Sequence, residues 1–342
     1  MTGLRRGVKE RNPFPVCPPE ATVQGPGKKT AMPTQTFSSF DAFFEANRHA
    51  SVRAMLLGTD RGHWLLTNLI VNKLGVQFGQ AEGRAVVEGA SKLGGLTIFL
   101  QTQGTPSFLG NGRRLDERTL MVVGPGDEFC LAADASPRSW CSLYIPHEKL
   151  AGTDVETTTA PGSMRGVFQL PRQRIERFRL ALEQLDGAVQ RAPAAFDSAA
   201  VQEATEEKLG EEIRNVLALP REIEHPLGRH VVPRRQIIRM SMDFVDQNGG
   251  GYVLVEQLAT AAGVSQRTLR DAFHGYFGAA PVEYLKRRTL HLVRKALKAS
   301  NPAMVTVTEI ATQFGVWELG RFARDYRCLF GELPSKTLRQ SR

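Results

Sequence analysis

Residues 255–276 read Val-Glu-Gln-Leu-Ala-Thr-Ala-Ala-Gly-Val-Ser-Gln-Arg-Thr-Leu-Arg-Asp-Ala-Phe-His-Gly-Tyr, and this stretch decides the fold of the last third of the chain. Leu258 and Ala259 mark the inner side of a first short helix. Gly263 stands where that helix must end, because a left-handed C-cap suits a residue without a Cβ. Val264 fills the corner, and Ser265 is placed to cap a second helix by accepting a backbone N–H. Leu269 and Phe273, four apart, face back onto the first helix. Small residue, turn glycine, apolar plug and capping serine in this order predict a helix-turn-helix. The outer face of its second helix carries Gln266, Arg267, Arg270 and His274, the chemistry that base edges and phosphates in a major groove require.

A second copy occupies residues 308–327, Thr-Glu-Ile-Ala-Thr-Gln-Phe-Gly-Val-Trp-Glu-Leu-Gly-Arg-Phe-Ala-Arg-Asp-Tyr-Arg. Ile310 and Ala311 take the places of Leu258 and Ala259, and Gly315 follows Gly263 by 52 residues. Phe322 and Tyr326 keep the spacing of Leu269 and Phe273. Between the two units, from Pro281 to about Lys298, Tyr284, Leu285, Leu292 and Leu297 give a helix its packing face, and the proline suits its first turn. At ~1.5 Å per residue this helix spans roughly 27 Å, of the order of one DNA turn at about 34 Å. Arg287, Arg288 and Arg294 on it read as solvated or phosphate-facing.

Charge agrees with this division. The 342 residues include 44 Lys and Arg against 35 Asp and Glu, a net charge of +9. Eighteen of the basic and nine of the acidic residues lie from Arg229 to Arg342, so the excess sits there and the remainder is neutral. A basic domain beside a neutral one fits a polyanion partner, and equally a solvated basic face. Cys17, Cys130, Cys141 and Cys328 are scattered without CxxC spacing and fit neither a zinc site nor a disulfide framework. No run of eighteen uncharged apolar residues reads as a membrane span. The basic amino terminus lacks the apolar core of a secretory signal, so a cytoplasmic, nucleoid-associated protein is expected.

The length calls for two domains with linkers. Residues 1–35, with six prolines, are expected to form a disordered tail. Residues 36–165 are β-rich: the apolar runs Leu65–Val71, Leu96–Leu100, Leu120–Val123 and Cys141–Ile145 are separated by turn residues, as in a sandwich or barrel. Asn111-Gly112 suits a tight hairpin turn and Gly124-Pro125-Gly126 a second one. Residues 166–228 form a helical linker. One stripe there runs through Ile175, Phe178, Leu182, Leu185 and Val189, another through Val201, Ala204, Leu209, Ile213 and Val216. These helices pack on their own domain or pair with a second copy. Residues 229–342 form the DNA-binding domain.

Over about residues 233–340 the arrangement closely resembles the AraC/XylS family of bacterial regulators. The resemblance rests on both units, on Phe277-Gly278 followed by Pro281 and Tyr284-Leu285, and on the closing Tyr326-Arg-Cys-Leu-Phe-Gly-Glu-Leu-Pro-Ser-Lys-Thr-Leu-Arg339. It implies an α+β protein. A cupin-like β-barrel or sandwich would sense a small organic effector and dimerise, a helical linker would follow, and an all-α domain would carry two helix-turn-helix units joined by a long helix. It further implies double-stranded DNA and RNA polymerase as partners, a homodimer, activation rather than repression, and base contacts from Arg267, Arg270, Arg321 and Arg324. Two departures stand out. Asp271 lies where the family often has a basic residue, and Leu319 and Gly320 offer few hydrogen bonds, so the second unit would mainly hold phosphate.

Trp64, Phe78, Phe99, Phe108 and Trp140 are pocket candidates for the sensor domain, although each reads more ordinarily as core. An effector-independent regulator with an empty barrel is one alternative. A metal-dependent cupin enzyme fused to a DNA-binding module is another. It needs several histidines and a carboxylate around an open coordination sphere. The domain offers His49, His63 and His147 without a His-x-His pair, and no nucleophile elbow, P-loop or dinucleotide fingerprint occurs. No catalytic residue, cofactor or metal ligand is therefore predicted.

Overall fold

Strand alternation sorts the first half of the chain into two antiparallel sheets. The computed structural model describes residues 31–46, 50–59, 63–150, 166–218, 221–222, 232–248 and 253–340. The expected tail over residues 1–30 lies outside them. The smaller sheet runs β2 (Ala50–Leu56), β5 (Ala85–Ser91), β10 (Glu128–Ala133), β7 (Phe108–Gly110) and β8 (Arg113–Leu115). The larger runs β1 (Ala31–Phe37), β3 (Trp64–Val71), β4 (Leu74–Ala81), β11 (Arg138–Pro146), β6 (Gly95–Gln103), β9 (Thr119–Val123), β12 (Gly166–Gln169) and β13 (Arg221–Glu222). A short helix, α1 (Phe40–Glu45), joins β1 to β2 and is capped by Ser39. Asn111 and Gly112, with φ of 49° and 77°, make the β7–β8 turn, whose positive φ angles match strand twist.

Each sheet ends on strands paired along one side only: β1 and β13 in the larger, β2 and β8 in the smaller. The expected barrel is therefore not closed, and the two sheets face one another as layers. Val87, Leu131 and Ala133 of the smaller sheet meet Phe99, Met121, Val123 and Val167 of the larger across one core. The alternate residues point the other way. Ile98, Leu100, Leu120 and Val122 leave the larger sheet to meet α2 (Arg172–Arg191) and α3 (Ala199–Leu217). Burial on both faces explains why Leu120–Val123 reads as an unbroken apolar run.

Two boundaries move. Residues 31–35, assigned above to the tail, are part of β1, which is an edge strand. Pro33 is tolerated because it falls where the register slips between Met32 and Gln35 on that edge strand. The helical linker is not a linker. It opens on β12, which pairs with β9, and its helices bury Ile175, Phe178, Leu182, Leu185, Val189, Leu209, Ile213 and Val216 on their own sheet. Ala204, expected in the second stripe, is exposed.

The outer face of the smaller sheet is covered by the carboxyl-terminal helices: α4 (Arg234–Gln247), α5 (Val255–Ala261), α6 (Gln266–Phe277), α7 (Pro281–Ala299), α8 (Val307–Gln313), α9 (Leu319–Phe330) and α10 (Pro334–Gln340). Met55, Val86, Cys130 and Ala132 share one core with Ala272, Phe273, Tyr276 and Tyr284. Phe40, Phe43, Leu56 and Trp64 share another with Leu290, Val293, Leu297 and Phe330. At ~25 cal/mol per Å² of apolar surface, such mixed cores join the two halves far more firmly than a flexible tether would. Among the described residues no helix is long and apolar enough to cross a membrane.

Candidate nucleic-acid interface

The site is built from two helix pairs, α5–α6 and α8–α9, held by α7. Their turns share one hydrogen-bond pattern. After α5, the Gly263 N–H donates to the Thr260 carbonyl at 3.1 Å and the Val264 N–H to that of Ala259 at 3.0 Å. After α8, Gly315 donates to Thr312 at 3.0 Å and Val316 to Ala311 at 3.1 Å. Both are Schellman closures, in which two N–H groups satisfy the last carbonyls of the helix. The glycines have φ of 65° and 74°, which a side chain would strain. Leu258, Ala259, Leu269 and Phe273 are buried in the first pair, as are Ile310, Ala311, Phe322 and Tyr326 in the second.

The two second helices begin differently. The Ser265 hydroxyl accepts from the Thr268 N–H at 3.1 Å and caps α6. Glu318 opens α9 without a side-chain cap, one residue further from its turn glycine. Both helices have twelve residues, so aligning their starts places Arg267 and Arg270 of α6 opposite Gly320 and Ala323 of α9. The arginines of α9 sit on a neighbouring stripe, level with Thr268 and Asp271. Reading both units from the turn glycine hid that rotation of the arginine face.

Gln266, Arg267, Arg270 and His274 are all exposed on α6, and Arg321 and Arg324 on α9. The Arg270 guanidinium donates to the Gln266 side-chain oxygen at 3.3 Å, which holds the two as one polar edge. Arg321 lies 3.4 Å from Glu318 and 4.0 Å from Asp325, and Asp325 pairs with Lys286 of α7 at 2.6 Å. Part of the Arg321 charge is thus spent within the protein, while Arg267 and Arg324 have no ion pair among the described residues. Arg327 and Trp317 are also exposed here and were not singled out from the sequence. Gly315-Val-Trp-Glu-Leu-Gly, one residue longer to its first core position than the first unit, was the signal available for Trp317.

Two arginines expected to face phosphate or solvent turn inward instead. Arg288 is buried and paired with Asp246 of α4. Arg294 pairs with Asp41 and Glu332 and stacks over the Phe330 ring at 4.3 Å. Each lies on the packed side of α7, where a guanidinium needs a carboxylate to offset its desolvation.

Polar contacts also tie the helices to the smaller sheet. The Tyr284 hydroxyl donates to the Glu88 carboxylate at 3.0 Å, and burial pushes both groups up from their ordinary pKa. Arg84 pairs with Glu283 at 2.6 Å and donates to the Gly278 carbonyl at 2.8 Å. The free amide of Leu56, on edge strand β2, donates to His291 Nε2 at 3.0 Å. Set between the Phe40 and Phe330 rings, His291 is pushed by burial down to about 4 and stays neutral. Sequence reasoning gave no sign of these contacts, because each joins residues about two hundred positions apart.

The pocket candidates are core residues. Trp64 stacks among Phe40 and Phe43, Phe99 meets Phe108, and the Trp140 ring lies where a Cβ on Gly79 would be, at 2.1 Å. Phe78 borders a cavity of about 20 Å³. A cavity of about 480 Å³ opens instead beside α3, lined by Leu74, Ile145, Leu150, Glu206, Ile213 and Arg214 among others. Among the described residues no group of three His, Cys, Asp or Glu comes together as a metal-ligand set.

Comparison with known proteins matches this site. A family model described as a helix-turn-helix domain covers residues 258–340. The XylDLEGF operon transcriptional activator of Pseudomonas putida is 39% identical over 99 residues, which make up 29% of this chain and 31% of that protein. A probable thc operon regulatory protein of Rhodococcus erythropolis is 37% identical over 103 residues, 30% of this chain and 31% of its own. The chain therefore spans about a third of the length of the curated relatives it matches. A solved structure of a probable AraC family transcriptional regulator from Rhodopseudomonas palustris is 34% identical and is covered over 97% of its length, against 31% of this chain, with a TM-score of 0.28. The carboxyl-terminal domain is therefore of the AraC/XylS type.

Proposed function

We propose that the chain is a sequence-specific, DNA-binding transcriptional regulator, acting as an activator, that lays α6 and α9 into neighbouring major grooves of one duplex. The observation that carries this reading is the repeated Schellman turn, each followed by a helix with exposed arginines, across a 19-residue spacer. That spacer is roughly 28 Å long at ~1.5 Å per residue, against about 34 Å for a DNA turn. Base contacts fall to Gln266, Arg267, Arg270 and His274, while Arg321 and Arg324 on the second helix hold phosphate. A homodimer and contact with RNA polymerase belong to the same reading. Enrichment of duplexes from a randomised library by the full chain tests it. A shared sequence motif is expected in the bound pool, and a pool without one overturns the reading.

The sheet domain, on this reading, takes a small organic effector. Support comes from the cavity beside α3, whose volume of about 480 Å³ lies within the range that small-molecule sites occupy. Its lining mixes Leu74, Ile145 and Ile213 with Glu206 and Arg214, a set suited to an amphipathic molecule. A thermal-shift screen of metabolites separates this from an effector-independent regulator, since only a bound ligand raises the melting temperature by mass action.

A further inference from the structure

The three tryptophans meet different fates. Trp64 is 2% exposed, Trp140 is half-buried, and Trp317 is 77% exposed. A tryptophan ordinarily contributes by burying its large apolar ring, and Trp317 does not. It stands two residues after Gly315, the place Ser265 holds after Gly263. The N-cap position of α9 falls one residue later, on Glu318, whose side chain makes no cap, so Trp317 stands in a lengthened turn. Phe314, Val316 and Leu319 pack against the core beneath, while the indole stays outside it.

Gly320 breaks a second local rule. Glycine is a poor helix former, and Gly320, in the first turn of α9, lies outside the left-handed region that would favour glycine. Nothing lies within 4 Å of the place its Cβ would occupy, so packing does not demand it either. Gly320 and Ala323 hold the positions that Arg267 and Arg270 hold on α6. Two exposed departures thus fall at the start of one helix, Trp317 in the turn before it and Gly320 in its first turn, with Arg321, Arg324 and Arg327 exposed along the helix that follows. Residues that break local rules without a structural return mark functional surface. The arginines identify the occupant as a polyanion.

Among the features of a major groove, one is apolar: the 5-methyl group of thymine. Resting on the DNA-binding role proposed above, we propose that the second helix pair reads thymine by its methyl group. The Trp317 indole lies against the methyl, and the bare backbone at Gly320 lets α9 approach the base edges. The first pair reads by hydrogen bonds and the second by apolar contact.

A duplex enriched by the full-length wild-type chain, made with thymine or with deoxyuridine in one half at a time, tests this. Uracil keeps every hydrogen bond and loses only the methyl. Wild-type protein is expected to bind about fourfold more weakly per methyl removed from the half read by α9, the burial of one carbon's worth of apolar surface. Trp317→Ala is expected to bind the thymine duplex as weakly as wild type binds the uracil duplex, and to be indifferent to the exchange. Trp317→Phe should restore part of the difference. Folding of each variant is checked by its melting temperature, which an exposed side chain should leave unchanged. The proposal is overturned if Trp317→Ala binds the thymine duplex like wild type, or if it loses as much on uracil as wild type does. Failure of the wild type to enrich any duplex overturns the DNA-binding role itself, a distinct result.

Discussion

The two helix pairs have the same turn but begin their outer helices differently. The first caps its outer helix with Ser265 and sets its polar residues on one edge, Arg270 bonded to Gln266. The second caps its inner helix, where the Thr306 hydroxyl accepts from Glu309 N–H and the Glu309 carboxylate accepts from Thr306 N–H. It leaves its outer helix uncapped and places Glu318, Gly320 and Ala323 where the first has Ser265, Arg267 and Arg270. Turn geometry is thus fixed by backbone hydrogen bonding, while the outer face is free to vary. The comparison teaches that one scaffold can carry two kinds of recognition.

The largest expected effect tests whether the faces differ in kind. Arg267→Ala and Arg270→Ala should each cost about 1–3 kcal/mol at an enriched site and relax discrimination at one base pair. Arg321→Ala and Arg324→Ala should weaken all sequences alike and lower the slope of log affinity against log salt by about one each. Titrations at several salt concentrations, on the enriched duplex and on a scrambled one, measure both. Equal loss of discrimination from the two pairs would erase the contrast.

Next in size is the anchoring of the first pair to the sheet. Tyr284→Phe removes the hydroxyl that donates to the half-buried Glu88 carboxylate and should lower unfolding free energy by about 1–3 kcal/mol in denaturant titrations. Tyr326→Phe in the second pair removes a bond to Thr337 that stays within the helical domain. Its cost should match in size but leave proteolysis between the domains unchanged, whereas Tyr284→Phe should raise it.

These anchors mark the limit of what the sequence makes legible. Gly263, Ser265 and Gly315 announce their turns because capping is decided within a few residues. The strands of the larger sheet are legible as apolar runs for the same local reason. By contrast, Val86, Cys130 and Ala132 alternate like any strand residues, and nothing local tells that their side meets α6 rather than water. Arg288 and Arg294 read as surface charges because the partners that bury them, Asp246, Asp41 and Glu332, are distant in sequence. The exposed side of α6 and α9 was legible by residue type and spacing, while the rotated stripe on α9 needed the helix start that only the structure gives.

Acid should loosen the second attachment. His291 accepts the Leu56 amide and is held down to about 4 by burial, whereas an unfolded histidine titrates at ~6.5. Between these values the unfolded chain binds the extra proton. The stability due to neutral His291 is therefore complete above about pH 6.5 and is lost as pH falls toward 4, by at most about 1.4 kcal/mol per pH unit. Carboxylates titrate in the same range, so the test is a difference: His291→Gln should show a shallower fall in melting temperature from pH 6.5 to 4. Parallel curves would show that the histidine is not neutral in its pocket.

The smallest effect isolates the caps. Ser265→Ala removes an acceptor from the Thr268 N–H and should destabilise the protein by about 1 kcal/mol, the usual worth of such a cap. Glu318→Ala holds the corresponding place in the second pair, where no side-chain cap exists to lose, and should fall within about 0.5 kcal/mol of wild type. Glu318 also lies beside Arg321, so its removal frees that guanidinium for DNA. The two alanines should then diverge twice over. One weakens the fold and leaves the charge on its helix unchanged, while the other leaves the fold intact and strengthens salt-sensitive binding to any duplex. If Glu318→Ala instead destabilised the protein as Ser265→Ala does, an acceptor would be capping α9 after all, and the asymmetry between the pairs would lie in their side chains alone.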